Sequence, residues 1–139
     1  MRKLVLDAGP LIGLFYAKDT YHHDCIRGFE ELTQAQPILL IPLPIVFEVY
    51  KWLLQRTSPT VAQNALATMI NSLHVLPLTT EQFDTLQEMI FQLPQWRGSL
   101  EDATVTLIAL QYKCPIWTYN FRDFSLFSAI EFWNPTTTK

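Results

Sequence analysis

The sequence predicts a three-layer α/β domain built on a mainly parallel sheet. Two observations carry this expectation. Short runs that are apolar throughout, rather than alternating, recur along the chain, as in strands covered on both faces. Between them lie longer stretches that open on helical start signals, so that strand and helix alternate. A third observation bounds the size. With 139 residues, the chain suits one core and leaves no room for a second independent one.

Taken in order, Lys3–Leu6 is the first apolar run, and Pro10 suits the first turn of a helix behind it. Ile38–Ile41 is the second run. Ser58-Pro59 then reads as an N-cap followed by proline at the first helical position. Leu73–Leu76 is the third run, and Thr79-Thr80-Glu81-Gln82 has the Thr-x-x-Gln spacing of a capping box. Ser99-Leu100-Glu101-Asp102 is a related helix opening, before an apolar stripe at Val105, Leu107, Ile108 and Ala109. Ile116–Thr118 and Ile130–Phe132 complete the set of five runs. The connections after the first three runs each read as a pair of helices. The domain is expected to span residues 1–135, with 136–139 as a frayed tail.

Composition narrows the function classes. Hydrophobic residues make up 49% and charged residues 17%, against roughly 25% charged in typical soluble domains. Disorder is excluded, because there is ample apolar surface to bury. The formal net charge of −3 and the pI of about 5.5 exclude a protein that grips nucleic acid by bulk positive charge. No membrane span is expected: Ile38–Phe47, the longest apolar stretch, carries Pro42 and Pro44 and falls well short of ~20 residues. The Met-Arg-Lys start is followed by only Leu4-Val5-Leu6 before Asp7, too short for the apolar part of a secretory signal. Cys25 and Cys114 form no C-x-x-C pair and read as ordinary thiols of a reducing compartment, so a cytoplasmic location is expected.

In so charge-poor a chain, acidic residues near strand ends stand out. Ligands of open parallel sheets bind outside the carboxyl ends of the strands. Asp7 follows the first run directly. Glu48 lies in the first turns of the helix after the second. Asp102 opens the helix before the fourth, and Thr118, Asn120 and Asp123 follow that strand. Four carboxylates thus have a route to one end of one sheet. Two like charges about 4 Å apart repel by roughly 4 kcal/mol at an effective dielectric near 20. Such a cluster must hold protons or bind a cation. Oxygen ligands without His or Cys favour Mg²⁺ or Mn²⁺ over zinc, and metal-assisted phosphodiester hydrolysis is the reaction class suggested.

Each residue also has a purely structural alternative. Asp7 could cap the helix near Pro10. Glu48 could lie on a solvated helix face or pair with Lys51. Asp102 could close a capping box with Ser99, and Asp123 could cap a short helix through Ser125–Ser128. Their agreement on one sheet end favours the joint reading.

At these positions the sequence resembles the PIN-domain nucleases, especially the single-domain toxin ribonucleases of VapC type. Leu6-Asp7-Ala8-Gly9-Pro10-Leu11-Ile12, Phe47-Glu48-Val49, Leu100-Glu101-Asp102-Ala103 and Thr118-Tyr119-Asn120-Phe121-Arg122-Asp123-Phe124 are similar to the family's four motifs, in family order. The resemblance implies a five-stranded sheet in order 3-2-1-4-5, one or two Mg²⁺ or Mn²⁺ ions, and RNA phosphodiester cleavage. It further implies a protein antitoxin as partner and a homodimer. Asp7, Glu48 and Asp102 would be metal ligands and catalytic residues. Asp123 would join them at the metal or its waters, and Thr118 would support the shell by hydrogen bonding. Asn120 departs from the many relatives with Asp there: an amide can ligate but brings no charge, so Glu101 is a possible substitute for the fourth acidic role.

Lys51, Arg97 and Arg122 are candidates for RNA phosphate contacts. Trp96, Tyr119 and Phe121 could stack on unpaired bases, against the alternative that they are core. His22-His23-Asp24-Cys25 offers too few ligands for zinc, and His74 reads as a core or edge histidine. Two competing functions have their own signals. An aspartate-based phosphohydrolase would need a second Asp where Gly9 stands. A catalytically inactive PIN-fold module for RNA binding or protein interaction would tolerate the neutral Asn120.

Overall fold

The computed structural model describes residues 1–136. Strands β1 (Lys3–Leu6), β2 (Ile38–Pro42), β3 (His74–Leu76) and β4 (Ile116–Trp117) form a sheet in order β3-β2-β1-β4. All three pairings are parallel; Leu4 lies opposite Leu39, Ile41 opposite Val75, and Val5 opposite Ile116. Helices α1 (Ala8–Phe15) and α2 (His22–Ala35) connect β1 to β2, and α3 (Leu43–Arg56) and α4 (Pro59–Ser72) connect β2 to β3. Helices α5 (Thr80–Phe91) and α6 (Leu100–Tyr112) lead to β4, and α7 (Phe121–Phe124) follows it. The helix pairs between strands are those the sequence predicts.

The order matters for function. The chain steps from β1 to β2 to β3 in one direction, then crosses back to β4 on the other side of β1. Right-handed crossovers then put α5 and α6 on the opposite face from the first two helix pairs. The reversal falls between β1 and β4, the topological switch point at which open α/β sheets bind ligands.

The start signals act locally as written. Ser58 accepts a hydrogen bond from the Val61 N–H at 3.2 Å. Thr79 and Gln82 form a reciprocal capping box, both bonds at 3.0 Å. Ser99 accepts from the Asp102 N–H at 3.0 Å.

The expected fifth strand is a correction. Ile130–Phe132 forms a single parallel bridge, Ile116 to Phe132, beside β4. The Ile116 N–H donates to the Glu131 carbonyl and the Trp133 N–H to the Ile116 carbonyl, both at 2.9 Å. The segment occupies the place expected of a fifth strand, but pairing stops at once. A turn bonded from Ile130 to Phe127 precedes it, and Pro135 follows, with no N–H to extend the ladder. Thr136 is tied to Glu31 by its N–H at 2.8 Å; residues 137–139, the rest of the expected tail, lie outside the described residues.

Leu4, Val5 and Leu6 of the central strand are fully buried, as is Trp117 of β4. Trp117 meets Phe29 and Trp133 at ring-centroid distances of 4.8 and 4.9 Å. No helix among the described residues is long and apolar enough to cross a membrane.

Gly28 on α2 is the contact point for the Trp117 ring. A Cβ there would stand 2.6 Å from Trp117 Cζ2 and 2.8 Å from Pro135 Cγ. Gly28→Ala is therefore expected to destabilise the fold by about 1–3 kcal/mol, the usual cost of overpacking. Urea unfolding monitored by tryptophan fluorescence measures this, and an unchanged midpoint would contradict the packing.

Candidate metal centre

Asp7 leaves β1 and stands at the N-cap position of α1, with extended backbone and no capping hydrogen bond from its side chain. The capping alternative is thereby excluded. Its N–H donates to the Trp117 carbonyl at 3.1 Å, continuing the β1–β4 ladder by one step. That step brings Thr118 alongside. The Thr118 hydroxyl donates to Asp7 Oδ2 at 2.6 Å and accepts from the Asn120 N–H at 2.9 Å. Asp7 is 4% exposed, and its other oxygen, Oδ1, is buried with no hydrogen-bond partner.

Glu48 and Asp102 approach from two helices. Glu48 lies on α3 with Ile45 and Val49, both buried, on either side, so it faces inward despite its charge. Its Oε2 is buried and unpartnered. Among the described residues, Arg27–Asp24 is the salt bridge found, so Glu48 makes none with Lys51. Asp102 is held in the first turn of α6, where the Ser99 hydroxyl fixes its N–H. Its carboxylate does not turn back to close a capping box. Instead, Oδ2 accepts from Asn120 Nδ2 at 3.2 Å.

Asp7, Glu48 and Asp102 each bring one carboxylate oxygen to within 4.8 Å of the others. Among the described residues, this is the one grouping of three His, Cys, Asp or Glu side chains close enough to hold one ion. Its electrostatics follow from burial and crowding. Burial, with Asp7 and Glu101 nearby, pushes the Glu48 carboxyl up to about 7. Burial, with Asp7 and Glu48 nearby, pushes Asp102 up to about 8. Burial also raises Asp7, against the opposing hydrogen bond from Thr118. Without a cation, Glu48 and Asp102 thus hold protons near neutral pH, and oxygens with no donor are what a cation would complete.

The remaining predicted residues fall in four groups. Asp123, inside the short α7, is joined to the cluster through Asn120, whose Nδ2 donates to Asp123 Oδ2 at 3.0 Å. It stands outside the three-carboxylate grouping. Lys51 and Glu101 line an open depression of about 390 Å³ beside Glu48, with Phe47 and Trp52. Arg97 and Arg122 are exposed. The aromatic candidates divide: Trp96 packs against Phe124 and Phe127 at 6.3 and 5.5 Å and is structural, whereas Phe121 is 40% exposed with its ring against Phe132.

Tyr119 shows a network that sequence spacing does not reveal. Its ring stacks on Tyr21 at 4.0 Å. Its hydroxyl donates to Asp24, which also binds Arg27 at 2.8 Å, and accepts from Cys25 Sγ at 3.6 Å. His22 donates to the Gly13 carbonyl at 2.7 Å, so the His-His-Asp-Cys segment serves packing rather than zinc.

No protein-family model matches the chain, and no curated protein sequence matches it. Solved structures do. The chain is similar to VapC20 of Mycobacterium tuberculosis, a sarcin–ricin-loop-cleaving toxin, with a TM-score of 0.77 at 15% identity over 88% of this chain and 94% of that one. It is similar to DNA-bound VapBC from Salmonella typhimurium, with a TM-score of 0.75 at 17% identity over 96% and 98%. A toxin–antitoxin complex from Klebsiella pneumoniae gives 0.64 at 18% identity over 97% and 99%. The chain has the fold of the VapC toxins, a PIN-type α/β domain.

The raised carboxyl groups make a stability prediction. Their folded values lie above their unfolded ones, so the folded state binds more protons and stability falls as pH rises. In chelating buffer, stability is expected in full below about pH 4, to decline as pH rises towards 8, and to level off beyond. Asp7→Asn should flatten this slope and raise the melting temperature at pH 8. Melts across the range test it; a wild-type midpoint that rises between pH 5 and 8 would contradict the arrangement.

Proposed function

We propose that the chain is a divalent-metal-dependent endoribonuclease, the toxin of a toxin–antitoxin pair, acting in the cytoplasm. The observation that carries this is the triad Asp7, Glu48 and Asp102 at the sheet's switch point, with two buried oxygens left unpartnered. An all-oxygen donor set suits Mg²⁺ or Mn²⁺. Bound there, such an ion would activate a water and neutralise charge on a phosphodiester.

The chain's own residues supply the rest. Thr118 fixes the Asp7 carboxylate through Oδ2 and leaves Oδ1 free to ligate. The Ser99 cap fixes the first turn of α6 and so the reach of Asp102. Asn120 holds Asp102 and Asp123 in fixed relation. Lys51 lines the open depression beside Glu48 and would meet an RNA phosphate there, with Arg97 and Arg122 as further cations. The single cations suit a substrate located by the metal site rather than by a basic surface.

A protein antitoxin is a proposed partner, supported by the fold's likeness to the Klebsiella pneumoniae toxin–antitoxin complex; a second copy of the chain is proposed from the family resemblance alone. Exposed apolar side chains give such partners something to cover. Phe47, next to Glu48, is 63% exposed, and Phe91 at the end of α5 is 79% exposed.

Incubation of total RNA with the purified chain, with Mn²⁺ or with chelator, tests the activity. Cleavage is expected with metal and abolished by chelator. Asp7→Asn and Asp102→Asn should each lower it at least about 100-fold, the upper end of what losing an outer-shell partner costs, with circular dichroism unchanged. Equal cleavage by those variants would overturn the assignment; absence of cleavage by the wild type would favour the inactive binding module. Thr118→Val should weaken Mn²⁺ binding by roughly 10–100-fold, as loss of an outer-shell hydrogen bond does, measured by calorimetry.

A further inference from the structure

We infer that Asn120 sets the metal count of this site at one, because its side-chain amide occupies the gap between Asp102 and Asp123 that a second cation would bridge. The inference rests on the metal-site reading proposed above and deepens it.

Two-metal phosphodiesterase sites place their ions about 3.5–4 Å apart, with carboxylates shared between them. Here one ion has a complete set of candidate ligands in Asp7, Glu48 and Asp102. A buried, unpartnered Asp7 Oδ1 independently points to a cation site there. Glu101 lies beside Glu48 on the open depression; for a second ion on the Asp102 side the carboxylate is Asp123, and it would have to share Asp102. Between these two, the structure has a nitrogen. Asn120 Nδ2 is 3.2 Å from Asp102 Oδ2 and 3.0 Å from Asp123 Oδ2. An amide nitrogen carries two hydrogens, and each has a carboxylate oxygen to meet. Asp102 Oδ2 and Asp123 Oδ2 thus share one neutral donor where a second ion would otherwise bridge them.

The backbone that carries the amide is fixed. Its N–H donates to Thr118 Oγ1, which in turn donates to Asp7. Asn120 also stands at the N-cap position of α7, the helix that holds Asp123. Turning the amide over would set its oxygen against two carboxylates. The neutral donor thus does for Asp102 and Asp123 what a cation would do, without adding charge. Asn120 is a positioning residue: it acts on the carboxylates, and Asp123 becomes a partner of the ligand Asp102 rather than a ligand itself.

The readout is stoichiometry, independent of RNA cleavage. Mn²⁺ binding to the intact chain by titration calorimetry, with bound ions counted by electron paramagnetic resonance, should give one saturable ion at millimolar Mn²⁺. Two magnetically coupled ions in the wild type would overturn the inference and leave the metal reading standing. No bound ion would overturn the metal reading and this inference together. Asn120→Asp should bind two ions, and adding Asp123→Asn to it should restore one. Should Asn120→Asp still bind one, Asn120 does not set the count.

Discussion

Asp7 sits at the carboxyl end of the central strand with 4% of its surface exposed, and one of its two carboxylate oxygens has no donor. A buried carboxylate of this kind is costly unless it is protonated, hydrogen-bonded or beside a cation. The surroundings answer only half of that demand. Thr118 satisfies Oδ2. Oδ1 is left facing a region into which Glu48 and Asp102 bring further negative charge. The local conflict is built by long-range packing: β1 delivers Asp7, α3 delivers Glu48 and α6 delivers Asp102. No single element could relieve it without displacing another. Sites that break the rules of satisfied burial while the scaffold obeys them are where function is to be sought.

The scaffold obeys those rules closely around the site. Strand β4 is only two residues long, too short for its own ladder to hold it. Its position comes from Trp117, fully buried between Phe29 and Trp133 and seated against Gly28. The hydroxyl that orients Asp7 belongs to the next residue. On the other side of Thr118, Tyr119 turns outward to stack on Tyr21 and donate to Asp24. Alternation along an extended backbone explains the division. Trp117 and Tyr119 both pack against α2, at Gly28 and Phe29 and at Asp24 and Cys25, and Thr118 between them points the other way, at Asp7. Precision in the acidic centre thus depends on aromatic packing that never touches it.

This division also explains what the sequence revealed. The apolar strands, the three helix pairs and the caps at Ser58, Thr79 and Ser99 are local signals, set by residues within a few positions of each other, and they are legible. Asp7, Glu48 and Asp102 are legible as candidates because Asp7 follows a strand directly and the other two lie in the early turns of helices that flank strands, in a chain with few charges. The fifth strand was not, because an apolar run says nothing of the turn before it or the proline after it. The Tyr119–Asp24 bond spans 95 positions and has no local signature. Asn120 is the subtler case. As a letter in a motif it is a missing charge. Only the geometry shows its nitrogen poised between Asp102 and Asp123, a donor where the motif leads one to look for an acceptor.

The acidic excess of the chain takes on a different meaning in this light. A net charge of −3 suggests a surface that repels RNA, and the separate cations Lys51, Arg97 and Arg122 do little to reverse it. Yet three carboxylates of that count are gathered at one point, where the fold itself raises their proton affinity. A divalent cation there would displace those protons and offset two of the three carboxylate charges at a single point. Attraction for a phosphate would then be concentrated at the place of reaction instead of spread over a basic face. Such a surface binds nucleic acid weakly in general, so on the proposed reading selectivity would come from shape around the cluster, where Phe47, Lys51 and Trp52 line the open depression beside Glu48.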